Sequence, residues 1–301
     1  MKAGRRNIEI SNEDKVIYQG QGVKADIINY YKEVAPLMLP HLANRPLMLQ
    51  RFPDGIHKNG FYQKEASDYF PNWIKTATVS KEGGKVNHTI CNNVATLVYL
   101  ANQATIAFHT WLSIIPEVNY PDKFIIDLDP PSDEFVKVRT AALIIKSFFD
   151  EIGVTSFVMT TGSSGVHIVV PLDGKATFDQ SRKIGGKIAI YLTRWHSDVF
   201  TTEKFIKKRE GKIYFDIQRN GYAQTAVSPY SLRPLPHAPI ATPLHWSELD
   251  NKNIHSRAFN ISNILDRLAV VSDPWKGMRR HATGIQRLTM KLKKVPVSRV
   301  S

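Results

Sequence analysis

The chain has 301 residues, 43% of them hydrophobic and 22% charged, a balance that suits one large α/β domain or two modest ones and excludes wholesale disorder. A single cysteine, Cys91, excludes an intramolecular disulfide and any multi-cysteine zinc site; together with the lack of a signal-peptide or membrane-spanning apolar run, it leads us to expect a cytoplasmic protein with no membrane partner. The net charge of +13, with 8 Lys/Arg and no Asp/Glu between Pro274 and Ser301, attracts polyanions, and nucleic acid is the commonest of these.

Residues 24–39 place Ile27, Tyr31, Val34 and Met38 at helical spacing, and Pro40 is expected to end that helix. An extended run over 47–52 leads into the turn Pro53-Asp54-Gly55. Gly83-Gly84 reads as a hairpin tip between strands at 76–80 and 85–90. Asn93 caps a helix through Val94, Leu97 and Leu100, and 107–114 reads as a strand.

The pattern then becomes more regular. A strand over 124–129 is stopped by Pro130-Pro131, and Ser132 is expected to cap a helix running to Glu151, with Asp133 and Glu134 in its first turn. Strands at 155–160 and 166–171 flank the tight turn Gly162-Ser163-Ser164-Gly165. Asp179 is expected to cap a helix with Ile184, Ile188, Tyr191, Leu192 and Trp195 along one stripe, and 213–217 supplies a last strand. The order β-α-β-β-α-β is the ferredoxin-like arrangement, whose strands lie 4-1-3-2 in space.

Side chains alternate along a strand, so Asp127 and Asp129 share one face while Ile126 and Leu128 take the other. Asp216 likewise projects away from its apolar neighbours, and His167 sits mid-strand in an apolar run. If strands one, three and four are adjacent, Asp127, Asp129, His167 and Asp216 converge on one face. Crowded carboxylates raise each other's pKa unless a cation intervenes, and oxygen ligands favour Mg²⁺ or Mn²⁺ over zinc. Two such ions, about 3.5–4 Å apart, serve polymerases and nucleases alike. The residue pattern alone leaves both open.

The run Phe124-Ile-Ile-Asp127-Leu-Asp129-Pro-Pro resembles the first motif of the archaeo-eukaryotic primase superfamily, and more narrowly that of the polymerase domain of bacterial ligase D and its stand-alone archaeal relatives. Thr161-Gly-Ser-Ser164-Gly-Val-His167 is similar to the second motif. Asp216-Ile-Gln-Arg-Asn220, with Gln224 through Arg233 downstream, is similar to the third. Ala238 to Trp246, Asp14 to Tyr18, Lys24 to Tyr31 and Ala43 to Leu47 also fit, so the resemblance covers roughly residues 8 to 275.

The resemblance implies an α/β (α+β) primase-polymerase fold. An N-terminal mixed α/β module (1–120) would touch DNA and its 5′-phosphate, a βαββαβ, RRM-like catalytic core would fill 121–273, and 274–301 would form a basic tail. It implies Asp127, Asp129 and Asp216 as ligands of two Mn²⁺ or Mg²⁺ ions. His109, Thr161, Ser163, Ser164, His167, Arg209 and Arg233 would face a nucleoside triphosphate, ribonucleotides being preferred. Lys15, Lys24, Arg51, Phe61 and Tyr62 would meet gapped or broken DNA, the two lysines at its 5′-phosphate. Non-homologous end joining would then involve a separate DNA ligase and a Ku-like end-binding protein. Two positions depart from the pattern: Ser164 stands where a lysine is usual, and Gln50 where a basic residue often precedes Arg51.

Two other readings compete. A primase would start chains de novo. A non-catalytic nucleic-acid platform would need exposed aromatics on the central strands, where this sequence carries acids.

Overall fold

The structure, a computed structural model, describes residues 1–20, 22–130 and 134–295. The chain forms two units. One comprises Met1–Pro116, Thr225–Thr242 and Phe259–Asp273; the other comprises Glu117–Gln224, Pro243–Ala258 and the chain from Pro274 onward.

In the first unit, helices Lys24–Leu42 and Val94–Asn102 share a core with a four-stranded antiparallel sheet. Its strands lie in the order Thr225–Val227, Thr105–Trp111, Leu47–Arg51, Phe61–Gln63. Asn93 caps its helix as expected, accepting from the Thr96 amide at 2.9 Å. Pro40 does not end the first helix, which runs through Pro36 and Pro40 to Leu42. Each proline removes one helical hydrogen bond, but buried Ile27, Tyr31, Val34, Met38 and Leu42 hold the helix on both sides of them. The Tyr30 hydroxyl donates to the Tyr230 carbonyl at 2.7 Å, and the Leu232 amide donates to the Tyr31 hydroxyl at 3.0 Å. These bonds fasten residues 230–232 to the helix. Strands Thr76–Lys81 and Gly84–Thr89 form the hairpin expected around Gly83-Gly84.

The second unit is built on a six-stranded sheet. Its four core strands are Lys123–Asp129, Phe157–Thr160, Val166–Pro171 and Ile213–Asp216, first to fourth in the chain. They lie in the order 4-1-3-2, all neighbours antiparallel, as the ferredoxin-like reading requires. Phe200–Thr201 and Pro243–Leu244 extend the two edges. At two residues each, they are too short to leave a periodic signal in the sequence.

Helices Phe135–Glu151 and Phe178–Trp195 belong to this unit. Thr177, not Asp179, is the N-cap of the latter: Thr177 Oγ1 accepts from the Gln180 amide, and Gln180 Oε1 accepts from the Thr177 amide. This reciprocal capping box puts Asp179 in the first turn, beside the positive helix end. The expected cap Ser132 and its neighbour Asp133 lie outside the described residues. A Cβ at Gly185 would come within 2.5 Å of the Phe124 ring, so the second helix lies hard against the face carrying Phe124, Ile126 and Leu128. The acids project from the opposite face.

Residues 274–295 of the basic stretch pack on the same unit. Trp275 is buried and donates through Nε1 to the Val158 carbonyl at 3.0 Å, and Thr283 bridges to Leu172. Helix Ile285–Leu292 buries Leu288 and Leu292. Lys291 Nζ donates to the carbonyls of Ile152 and Gly153, a cation at the negative end of helix Phe135–Glu151. Among the described residues no helix is long and apolar enough to cross a membrane.

One side chain completes the sheet beside the acids. Along the first core strand the fourth reaches only Asp127–Asp129, then turns into a short 3-10 helix, Gln218–Asn220. Asn220 takes over from there: its Oδ1 accepts from the Ile125 amide at 2.8 Å and its Nδ2 donates to the Ile125 carbonyl at 2.6 Å. Asn220→Ala leaves both groups buried and unpaired, at about 1–3 kcal/mol each. Urea denaturation of the variant is expected to show a loss of at least about 2 kcal/mol.

Candidate active site

The strand register assembles the site. Asp127 lies directly opposite His167 on one neighbour and Asp216 on the other, and Asp129 follows two residues later on the same face. His167 Nε2 is 3.4 Å from Asp127 Oδ1, and Arg219 Nε donates to Asp127 Oδ2 at 3.1 Å. The Ser164 hydroxyl donates to Asp129 Oδ1 at 2.6 Å, and the Gln218 amide donates to Asp216 Oδ1 at 2.7 Å. Asp127 and His167 are each only 3% exposed, whereas Asp129 and Asp216 are partly exposed.

The electrostatics follow from these contacts. Burial by itself would raise the Asp127 carboxyl, but the nearby charge of His167, with the charge and hydrogen bond of Arg219, outweighs it and holds the group at about 2. Asp129 is raised by burial and by the Asp127 charge, against the Ser164 hydrogen bond. Asp216 is raised by burial and by Asp127, against the Gln218 amide. The cluster thus carries more negative charge than it comfortably holds.

Its donor chemistry fits a hard divalent cation: three carboxylates on adjacent strands, with a buried Asp127 Oδ1 that has no hydrogen-bond partner among the described residues. As the side chains stand, no three His, Cys, Asp or Glu groups among the described residues are gathered closely enough to hold a metal ion. Asp129 accepts from Ser164, Asp216 from the Gln218 amide, and one oxygen of Asp127 from Arg219.

The turn Thr161–Gly165 is pinned beside the acids. A Cβ at Gly165 would fall 1.8 Å from the Leu128 carbonyl oxygen, so only glycine lets the turn approach the first strand. Thr161 Oγ1 accepts from the amides of Ser163 and Gly165. The Ser163 carbonyl accepts from Ser256 Oγ at 3.0 Å and Arg257 Nε at 2.7 Å. The sequence reading passed over Arg219, Ser256 and Arg257. Arg219 sits inside the quoted third motif, three residues after Asp216, and that proximity was the available signal.

Arg209 lies in the same unit but is turned inward: Nη2 donates to the Lys204 carbonyl at 2.8 Å, and the guanidinium sits 4.6 Å over the Tyr214 ring. It steadies the loop leading into the strand that carries Asp216. His109, Arg233, Lys15, Lys24, Arg51, Phe61 and Tyr62 belong to the other unit. There the Tyr62 ring stands edge-on to His109 at 6.2 Å. Phe61 and Tyr62 are 46% and 58% exposed. Arg51 is buried, bonding to the Gln103 carbonyl, Gln63 and Tyr69. The Lys24 amide donates to the Lys15 carbonyl, which brings the two lysines together. Lys15 pairs with Asp54 at 2.9 Å, and Lys24 Nζ bonds to Ser11. The Arg233 carbonyl accepts from the Tyr18 hydroxyl at 2.8 Å.

A family model described as "LigD, primase-polymerase domain" matches residues 23–275. The chain is 33% identical over 264 residues to the bifunctional non-homologous end joining protein LigD of Bacillus subtilis, covering 87% of this chain and 42% of that protein. It is 29% identical over 297 residues to the multifunctional non-homologous end joining protein LigD of Mycobacterium bovis, covering 95% and 39% respectively. It therefore spans about two-fifths of the length of these relatives. The solved polymerase domain of Mycobacterium tuberculosis ligase D, in complex with DNA, superposes with a TM-score of 0.85 at 28% identity, covering 92% of this chain and 99% of that one.

The opposed pKa shifts make a prediction about stability with a chelator present. Asp127, held below its ordinary value of 3.8, contributes stability that is complete above that value and is lost as the pH falls toward about 2. Asp129, held above the ordinary value, has the opposite sign: its contribution is present in acid and is lost as the pH rises. At pH 7, Asp127→Asn is expected to destabilise the protein by about 2 kcal/mol. Asp129→Asn is expected to stabilise it. Paired denaturation curves from pH 3 to pH 8 check both signs.

Proposed function

The chain belongs to the LigD primase-polymerase family, and on that premise we propose that it is a template-dependent nucleotidyltransferase, filling gaps and extending ends of broken DNA during non-homologous end joining. The observation that carries this reading is the register that sets Asp127 opposite both Asp216 and His167, with Asp129 two residues on. The names of the relatives supply the pathway, and the DNA-bound relative the kind of partner.

Asp127, Asp129 and Asp216 would hold two divalent ions, Mn²⁺ or Mg²⁺, which when bound activate the attacking hydroxyl and stabilise the leaving phosphate oxygens. His167, buried against Asp127, would stand at the boundary between the acids and the triphosphate. The turn offers the amides of Gly162 and Ser164, which make no hydrogen bond among the described residues, as donors to phosphate oxygens. Thr161 and Ser163 shape that turn, while Arg209 steadies the loop leading into the strand of Asp216. In the first unit, Arg233 and His109 are proposed to face the triphosphate and the sugar, with ribonucleotides preferred. Exposed Phe61 and Tyr62 suit base stacking, and the Arg51 guanidinium lies 5.4 Å over the Phe61 ring. Lys15 and Lys24 would take a 5′-phosphate. A separate ligase and a Ku-like end-binding protein would complete the pathway.

The reading is tested by extension of a gapped, 5′-phosphorylated template–primer. The wild-type chain is expected to add ribonucleotides faster than deoxyribonucleotides, with Mn²⁺ and Mg²⁺ compared side by side. Asp127→Ala is expected to lose extension by at least about a hundredfold while gel-shift binding to the same DNA persists. Equal extension by the variant would sink the assignment. Dinucleotide products from unprimed single strands would favour a primase instead.

A further inference from the structure

Arg219 stands among the acids, yet no part of the proposed chemistry uses it. It lies in the 3-10 helix Gln218–Asn220, which Asn220 ties to the first core strand, so its backbone is fixed close to Asp127. Its Nε donates to Asp127 Oδ2 at 3.1 Å, and the charges of Asp127, Asp216 and Asp129 all act on it. A guanidinium does not lose its proton in a protein, so this positive charge is permanent. The two partners differ in freedom: the Arg219 side chain is 44% exposed, the Asp127 side chain 4%. The carboxylate has nowhere to go, whereas the guanidinium can swing toward solvent.

A divalent cation bound by Asp127 would need the oxygen that Arg219 holds, or would sit within a few ångströms of a like charge. From this geometry we propose that Arg219 is a resident counter-ion. It holds the carboxylate cluster together until metal binds, then gives up Asp127, and so sets the metal affinity of the site. This rests on the metal-cradle reading of Asp127, Asp129 and Asp216. A cation that must displace another binds more weakly than one entering an open cradle, and the two equilibria are linked reciprocally.

The test uses the full chain, stripped with chelator and titrated with Mn²⁺. Free Mn²⁺ is followed by electron paramagnetic resonance, which reports binding without catalysis, and melting temperature is read in parallel. Arg219→Gln is expected to melt lower than wild type in chelator, because Asp127 keeps only His167. It is expected to bind Mn²⁺ more tightly by about 5- to 150-fold, the ordinary range for linked sites, and to gain more in melting temperature on loading. Arg219→Lys keeps the charge without the fixed fork and is expected to fall between the two, which keeps the idea testable if the glutamine variant folds poorly. Unchanged or weaker Mn²⁺ binding in both variants would overturn the proposal. Failure of wild type and both variants to bind Mn²⁺ at all would instead overturn the metal-cradle reading beneath it.

Discussion

A carboxylate at the centre of a sheet has to be compensated, and the compensation of Asp127 organises everything around it. Its strand is apolar on the helix-covered face, and the residue itself is almost fully buried. An isolated charge there would cost several kcal/mol. His167 and Arg219 meet it from two directions. The register that achieves this is enforced by alternation: a one-residue slip of either neighbouring strand would carry His167 or Asp216 to the helix-packed face and bring apolar side chains out. Core packing and site assembly are therefore one constraint.

The close approach of the turn Thr161–Gly165 rests on the same economy of space. Gly165 brings the turn against Leu128 and Asp129 because it has no side chain to clash, and Gly185 lets a helix press on Phe124 from the other side. Between them, the first core strand is gripped on both faces. Asn220 then supplies the pairing that the fourth strand is too short to give at Ile125. The residues that fix the acids are thus mostly not acids, and they work through backbone contacts.

This division explains what could be read from the sequence. Strand alternation and the order of elements were enough to place Asp127, Asp129, His167 and Asp216 on one face, because both are periodic or ordinal properties. The helix over 24–42 was legible for the same reason, but its end was not: local proline chemistry argued for a stop that buried packing overrode. Thr177 against Asp179 was a choice between two good caps, decided by the reciprocal bond from Gln180. The edge strands and the clasp of Asn220 depend on long-range pairing and leave no local trace. The same holds for the partners of Arg51, which the resemblance puts near DNA: Gln103, Gln63 and Tyr69 engage its guanidinium, and no local pattern marks them.

Ser164 and Arg219 are best understood together. Where the family resemblance leads one to expect a lysine, Ser164 brings a neutral hydroxyl that hydrogen-bonds Asp129 and leaves its charge in place. The turn's own side chains therefore add no cation beside the acids. Arg219 supplies one from the opposite side, attached to the strand that carries Asp216 and aimed at the most buried acid. A charge bonded to Asp127 faces the carboxylates themselves and offsets their repulsion. In this chain the most buried acid is held by an arginine on which the charges of all three acids act.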